Sequence, residues 1–180
     1  MIFKRTTGLL CLLLLMCLTW QAPHPSFAAA STTQAKTKPA PMLILNKNTA
    51  AYLKKGVIPG FGGVQFGMTQ NQIASKLGKP VSSFYHYGGE FWKFKNISYA
   101  GFNFENPYTG SNGMWCLLIG KEGLPNQTFA DVKKHLGSAY EMYYNDMEEA
   151  YEMVYTFGKT RISFMADTAK AKITLVQISR

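Results

Sequence analysis

The chain has 180 residues, of which 47% are hydrophobic and 16% charged, so it can bury the core of one domain of ordinary size. Its formal net charge of +9 is concentrated before residue 56, where every charged side chain is basic. The remainder carries 12 basic and 10 acidic side chains. This distribution argues against a nucleic-acid partner and leaves at most a contact between the basic N-terminal segment and an anionic cell-wall polymer or lipid headgroups.

Residues 1–28 have the organisation of a signal peptide. Lys4 and Arg5 precede an almost unbroken apolar run, Leu9–Trp20, which is too short to span a bilayer. Ala28 completes a motif of small residues that predicts cleavage at or near this position. Lipidation of Cys17 is disfavoured because a methionine precedes it, and an uncleaved anchor is disfavoured because the apolar run is short. We therefore expect a protein that is secreted or held at the extracellular face of the cell envelope.

Residues 29–47 are predicted to form a flexible basic linker, and residues 48–180 a single domain. The first part of the linker is rich in Ala, Thr, Lys and Pro, which cannot bury enough surface to offset the entropy of ordering. A short helix is expected from about Asn48 to Lys55, with Gly56 just past its end. Cys116 is the one cysteine beyond residue 28, so no internal disulfide is possible, and its apolar neighbours predict a buried thiol.

An internal repeat at an offset of 59 residues is the most informative pattern. Thr69 and Thr128 are each placed to cap a helix, and an acceptor side chain follows three residues later, as in a capping box. Each helix has one apolar stripe and ends at a Leu-Gly pair, Leu77-Gly78 in the first copy and Leu136-Gly137 in the second. The two copies are predicted to span about residues 64–120 and 124–180.

Each helix is followed by a series of short strands separated by turn residues. The expected strands cover 81–87, 91–94, the second half of 96–104 and 114–119, then 139–144, 151–157, 161–165 and 173–178. The fold class predicted is therefore α+β: a tandem repeat of a helix plus an antiparallel β-meander, with the helices packed on one face of a curved antiparallel sheet.

Two short motifs carry a family resemblance. Val64–Thr69 reads VQFGMT and is followed by LGKP at Leu77–Pro80, while the second copy repeats Leu-Gly before tyrosine-rich strands. Together they resemble the YjgB-like family of secreted bacterial proteins over roughly residues 56–180, which implies export and a shared fold but no particular activity. The doubled unit is also similar in architecture to the β-lactamase inhibitor protein, without any contact residue that can be carried over.

The first copy contains more aromatic side chains than one short helix can cover. Because side chains alternate between the faces of a strand, about half of these rings point away from the helix. They either form core or provide an exposed aromatic surface of the kind that dominates binding hot spots and stacks on sugar rings. Tyr85, Tyr87 and Trp92 are predicted to be the outward-facing members.

No catalytic centre, metal site or cofactor site is expected. His86, His135 and Cys116 are not at metal-ligand spacing. The acidic residues around a predicted turn, Asp146, Glu148, Glu149 and Glu152, lack the spacing of a calcium loop and are interpreted as solvated. Glu90 and Glu105, the other carboxylates considered for acid–base chemistry, are likewise interpreted as solvated.

The sequence therefore predicts a non-enzymatic binding module that engages a protein partner at the cell envelope through an aromatic-rich sheet face. The alternative is a domain that binds cell-wall carbohydrate or peptidoglycan. A hydrolase with dispersed catalytic residues is a third reading.

Overall fold

Three α-helices and one eight-stranded sheet form the described part of the chain. The computed structural model describes residues 42–107, 109–110 and 112–180, so the predicted signal peptide and the predicted linker up to residue 41 lie outside the described residues. The helices are α1 (Lys47–Lys54), α2 (Gln70–Leu77) and α3 (Phe129–Leu136). The strands are β1 (Pro80–His86), β2 (Gly89–Phe94), β3 (Ala100–Asn103), β4 (Cys116–Gly120), β5 (Glu141–Asn145), β6 (Ala150–Phe157), β7 (Thr160–Ala166) and β8 (Leu175–Ser179).

The strand order is β1-β2-β3-β4-β8-β7-β6-β5, and every neighbouring pair is antiparallel. The α+β class with an antiparallel sheet is therefore confirmed. β4 and β8 pair at the centre of the sheet. β1 and β5 lie at its two edges.

The helix termini form as their side chains predict. In α2 the Gln72 side chain accepts a hydrogen bond from the backbone N–H of Thr69 at 2.8 Å, and the Thr69 hydroxyl accepts from the N–H of Gln72 at 3.3 Å. In α3 one carboxylate oxygen of Asp131 accepts from both the N–H and the hydroxyl of Thr128, at 2.8 and 2.9 Å. These bonds to the charged form lower the pKa of Asp131. In α2 and α3, side chains of the first turn thus provide hydrogen-bond partners for backbone N–H groups at the helix N-terminus.

The main core joins the buried sides of all three helices to one face of the sheet. Leu43 and Leu45, which the prediction assigned to the linker, are buried in this core beside Leu53 of α1. The packed part of the chain therefore begins before residue 48, because these two leucines bury apolar surface that a solvated linker would leave in water.

None of the helices in the described ranges is long and apolar enough to cross a membrane.

Candidate functional site

The two faces of the sheet have different surroundings. We call the side whose residues share the main core with the helices the helix face, exemplified by Phe102, Tyr155 and Phe164. The alternate positions form the open face, where a small cluster of Phe91, Cys116 and Leu118 is buried without any helix residue. An open-face residue that is buried must be covered by something other than a helix.

Phe84, Trp115 and Leu175 pack against this cluster, and two hairpin turns meet on the same face. Asn145, at the end of β5, donates a hydrogen bond from Nδ2 to the hydroxyl of Tyr87, in the turn after β1, at 2.8 Å. Beside it, Nε2 of His86 lies 3.9 Å from Oε1 of Glu148. We call this contact between the β1–β2 turn and the β5–β6 turn the clasp.

The clasp shows that the sheet is strongly curved. β1 and β5 are opposite edges of the eight strands, so in a flat sheet about 34 Å would separate them, at roughly 4.8 Å per interval. Twist and coiling of the sheet bring the two turns within hydrogen-bonding distance. Both turns also hold a non-glycine residue at positive φ, Tyr87 at 48° and Glu149 at 49°, a conformation that disfavours ordinary side chains.

A polar groove of about 390 Å³ opens beside the clasp. We call it the Glu152 groove. Its lining combines three aromatic rings with hydrogen-bonding side chains from the second half of the chain: Tyr87, Trp115, Tyr143, Asn145, Glu152, Arg161, Ser163, Gln177 and Ser179. These residues come together because alternate positions of β5, β6, β7 and β8 point to the open face in the observed register.

Glu152 organises the groove. Its side chain is buried, with the residue only 4% exposed, and both carboxylate oxygens are engaged. Oε2 accepts from Nδ2 of Asn145 at 2.8 Å, while Oε1 accepts a short bond from the Ser163 hydroxyl and faces Nη2 of Arg161 at 3.5 Å. Arg161 also donates to the hydroxyl of Tyr143 at 2.9 Å. One buried carboxylate therefore orients an amide, a hydroxyl and a guanidinium group at once.

The tyrosines at the groove remain protonated well above neutral pH. Partial burial, followed by the negative charge of Glu148, raises the pKa of Tyr87 to about 12. Partial burial and the charge of Glu152 raise the pKa of Tyr143. At physiological pH both phenols are neutral hydroxyls that can donate or accept hydrogen bonds.

The three aromatic residues predicted to face outward do not lie together. Tyr87 lines the Glu152 groove, whereas Tyr85 and Trp92 belong to the helix-face positions of β1 and β2. Tyr85 is 78% exposed at the sheet edge, and Trp92 is half-buried against the main core. Phe91, Phe94, Phe102 and Phe104, four of the other rings in the predicted first copy, are buried.

The interpretation of the acidic cluster as solvated is wrong for Glu152. Residues 146–149 form the turn, but Glu152 lies inside β6, where its open-face position buries it under the clasp. The sequence did contain a sign of this polar environment. Arg161 and Ser163 alternate with Ile162 and Phe164, so one face of β7, the strand paired with β6, is polar.

The remaining candidate residues form no evident chemical centre. Cys116 is buried, as predicted, and burial raises the pKa of its thiol to about 12. Glu90 and Glu105 border one shallow depression beside Trp92. Within residues 42–107, 109–110 and 112–180, no group of three or more His, Cys, Asp or Glu side chains is placed to hold a metal ion.

Comparison with known proteins identifies a shared fold. No family model matches the sequence, and no curated protein matches it significantly. Among solved structures, a DUF4309 family protein, YjgB from Bacillus subtilis, is similar with a TM-score of 0.55 at 17% identity, covering 74% of this chain and 93% of that one. The chain has the fold of YjgB. The resemblance to the YjgB-like family is thereby confirmed at the level of the fold.

Two further structures are similar over 63% of this chain. An extracellular protein containing an SCP domain from Bacillus anthracis has a TM-score of 0.45 at 14% identity, with 43% of that chain covered. A cysteine-rich secretory protein from Staphylococcus aureus has a TM-score of 0.41 at 12% identity, with 44% covered. Both TM-scores are too low to support a structural conclusion beyond the YjgB fold.

Proposed function

We propose that the protein is an exported, non-enzymatic binding module that engages a protein partner at the cell envelope, with the Glu152 groove as the centre of the interface. The signal-peptide pattern of residues 1–28 supports export, with the mature chain released rather than lipidated at Cys17. The groove on the open face supports binding, because a concave, largely preformed site with a few oriented polar groups is typical of ligand recognition.

The observation that carries the proposal is the fixed position of Arg161. Its side chain is 52% exposed, yet Glu152 and the Tyr143 hydroxyl hold its guanidinium group. Arg, Tyr and Trp are the residues that contribute most binding energy in protein interfaces, and Tyr87 and Trp115 complete this set around the groove. A side chain that is already oriented loses less entropy when a partner binds.

The arrangement of Glu152 supports binding rather than catalysis. A general acid or base needs an oxygen that can reach the substrate. Here Asn145, Ser163 and Arg161 occupy both oxygens, and the carboxylate is buried beneath them. We therefore assign Glu152 the role of a positioning residue.

We also propose that the two halves arose by duplication. The 59-residue offset relates α2 to α3 and β4 to β8, and both helices begin with a capping box and end at a glycine with φ near 90°. A duplicated ancestor would account for the strand order, in which the two meanders meet through their last strands.

Cross-linking from the groove tests the proposal. A photo-reactive phenylalanine analogue in place of Ser179, which lines the groove but does not hold Arg161, should form an adduct with one discrete protein in the producing cells. The same analogue in place of Tyr85, an exposed tyrosine on the other face, should not. Arg161→Ala should lower the yield of the adduct at least tenfold, as expected for a hot-spot residue. Equal adducts from both positions would refute the assignment of the open face.

Cell-wall glycan is the second candidate ligand, because aromatic rings beside amide and hydroxyl groups also suit sugars. Sedimentation with purified cell wall distinguishes the two. If the native protein sediments with the polymer and Arg161→Ala does not, while no protein adduct forms, the groove binds glycan and the protein-partner proposal is wrong.

A further inference from the structure

A second cavity on the open face has the composition of a small-molecule site. Its volume is about 470 Å³, and it shares no lining residue with the Glu152 groove. His86 of the clasp borders it, whereas Tyr87 borders the groove. Its lining includes Phe84, Lys93, Gly101, Leu118, Glu122 and Leu175. We call it the Lys93 cavity.

One wall of the Lys93 cavity is apolar and ordered. Phe84 stacks on Phe91 with a centroid distance of 5.5 Å and an interplanar angle of 23°. Gly101 lies directly beneath it, where an added Cβ would come within 2.7 Å of the Phe84 ring. The absence of a side chain at Gly101 therefore allows the ring to pack flat against β3. Leu118 and Leu175 extend the apolar surface across β4 and β8.

A cation without an acidic partner lies at the edge of this surface. The ammonium group of Lys93 is 5.0 Å from the centroid of Phe84, within the range of a cation–π contact. The side chain is half-buried, and it forms no ion pair with any carboxylate of the described residues, Glu122 of the cavity included. An ammonium group that no carboxylate neutralises remains able to pair with a bound anion.

His86 also lines the Lys93 cavity. Nε2 of His86 is buried and has no hydrogen-bond partner within the described residues, its nearest charged neighbour being Glu148 at 3.9 Å. The cavity volume lies in the usual range of small-ligand sites.

We infer that the Lys93 cavity binds a small organic anion with an apolar body, such as an aryl-alkanoate. Its acid group would pair with the Lys93 ammonium, and its hydrocarbon part would cover Phe84, Leu118 and Leu175. This inference does not depend on the function of the Glu152 groove, because the two sites have no residue in common.

Titration of the full-length mature protein with 4-phenylbutyrate and with its neutral amide, followed by NMR or calorimetry, tests the inference. The carboxylate should bind at least tenfold more tightly than the amide. Lys93→Gln should abolish this difference, while Lys95→Gln, an exposed lysine two residues away, should preserve it. Phe84→Ala should weaken the binding of both probes, because it removes the apolar wall, and it also removes the cation–π contact of Lys93.

Four results would overturn the inference. The first is equal affinity of the acid and the amide, the second is an unchanged preference in Lys93→Gln, and the third is the absence of binding up to about 10 mM of either probe. Chemical-shift changes confined to Tyr143 and Arg161 would also overturn it, because they would place the probe in the Glu152 groove.

Discussion

Replacing Glu152 with glutamine tests whether one buried carboxylate holds the groove together. The amide keeps the shape of the side chain but has one acceptor oxygen instead of two. Its oxygen can still face Asn145 and its NH₂ can face the Ser163 hydroxyl, which is able to accept. Arg161 would then face a donor and turn toward solvent.

The expected loss of stability follows from these contacts. Two charge-assisted hydrogen bonds become neutral ones, at a cost of about 1 kcal/mol each. The contact with Arg161 is 3.5 Å long and half of that side chain is exposed, so its loss adds at most about 1 kcal/mol. Relief of the desolvation of a buried charge offsets part of this. We expect Glu152→Gln to lower the free energy of unfolding by about 2 kcal/mol.

Urea denaturation at neutral pH measures this loss as a midpoint shift of about 1 M, with an unchanged slope. Glu149→Gln is the matched control, because Glu149 is an exposed turn residue three positions away, and its effect should stay within about 0.5 kcal/mol. A double-mutant cycle with Ser163→Ala should give a coupling energy above about 1 kcal/mol. The reasoning would be refuted if Glu152→Gln and Glu149→Gln had equal effects, or if the cycle showed no coupling.

Three further measurements address the rest of the fold. Burial raises the pKa of Tyr155 to about 12 from its ordinary value near 10, so its contribution to stability is complete below pH 10 and is lost as the pH rises to 12. Tyr155→Phe also removes a 2.6 Å hydrogen bond to the Gly137 carbonyl, and it should reduce the fall in the free energy of unfolding between pH 10 and pH 12. An unchanged dependence of stability on pH would contradict the role given to Tyr155. Cys116 has a pKa of about 12, so at pH 8 about one thiol in ten thousand should be ionised. Its reaction with a thiol reagent should therefore be limited by the rate at which the protein opens. Rapid labelling of the native protein would contradict the burial of this residue. Thr69→Ala should lower the free energy of unfolding by about 1 kcal/mol, because it removes the side-chain cap of α2. Thr69→Ser keeps a hydroxyl and should retain most of this stability. Equal stability of the two variants would show that the cap does not contribute.

The elements of the fold were predictable because their signals are local. A threonine followed three residues later by an acceptor, with a Leu-Gly pair at the other end, defines α2 and α3 without reference to the rest of the chain. Short alternating segments bounded by glycine and asparagine define the strands in the same way. The burial of Cys116 followed from its apolar neighbours.

The candidate site was not predictable in this way, because its lining joins residues of β5, β6, β7 and β8 to Tyr87, which lies in the turn at the opposite edge of the sheet. Tyr85 and Tyr87 belong to one short aromatic stretch, and no local pattern shows that only Tyr87 reaches Asn145, 58 positions away. That contact exists because the sheet curves through its full width, which depends on the twist of all eight strands.

The sequence by itself thus determined the helices, the strands and their order along the chain, since each depends on neighbouring residues. Only the tertiary structure decided which face of the sheet is covered, which carboxylate is buried and where the two cavities open. Glu152 illustrates the difference: the sequence places it at the start of a strand beside an acidic turn, but only the fold makes Asn145, Ser163 and Arg161 its neighbours in space.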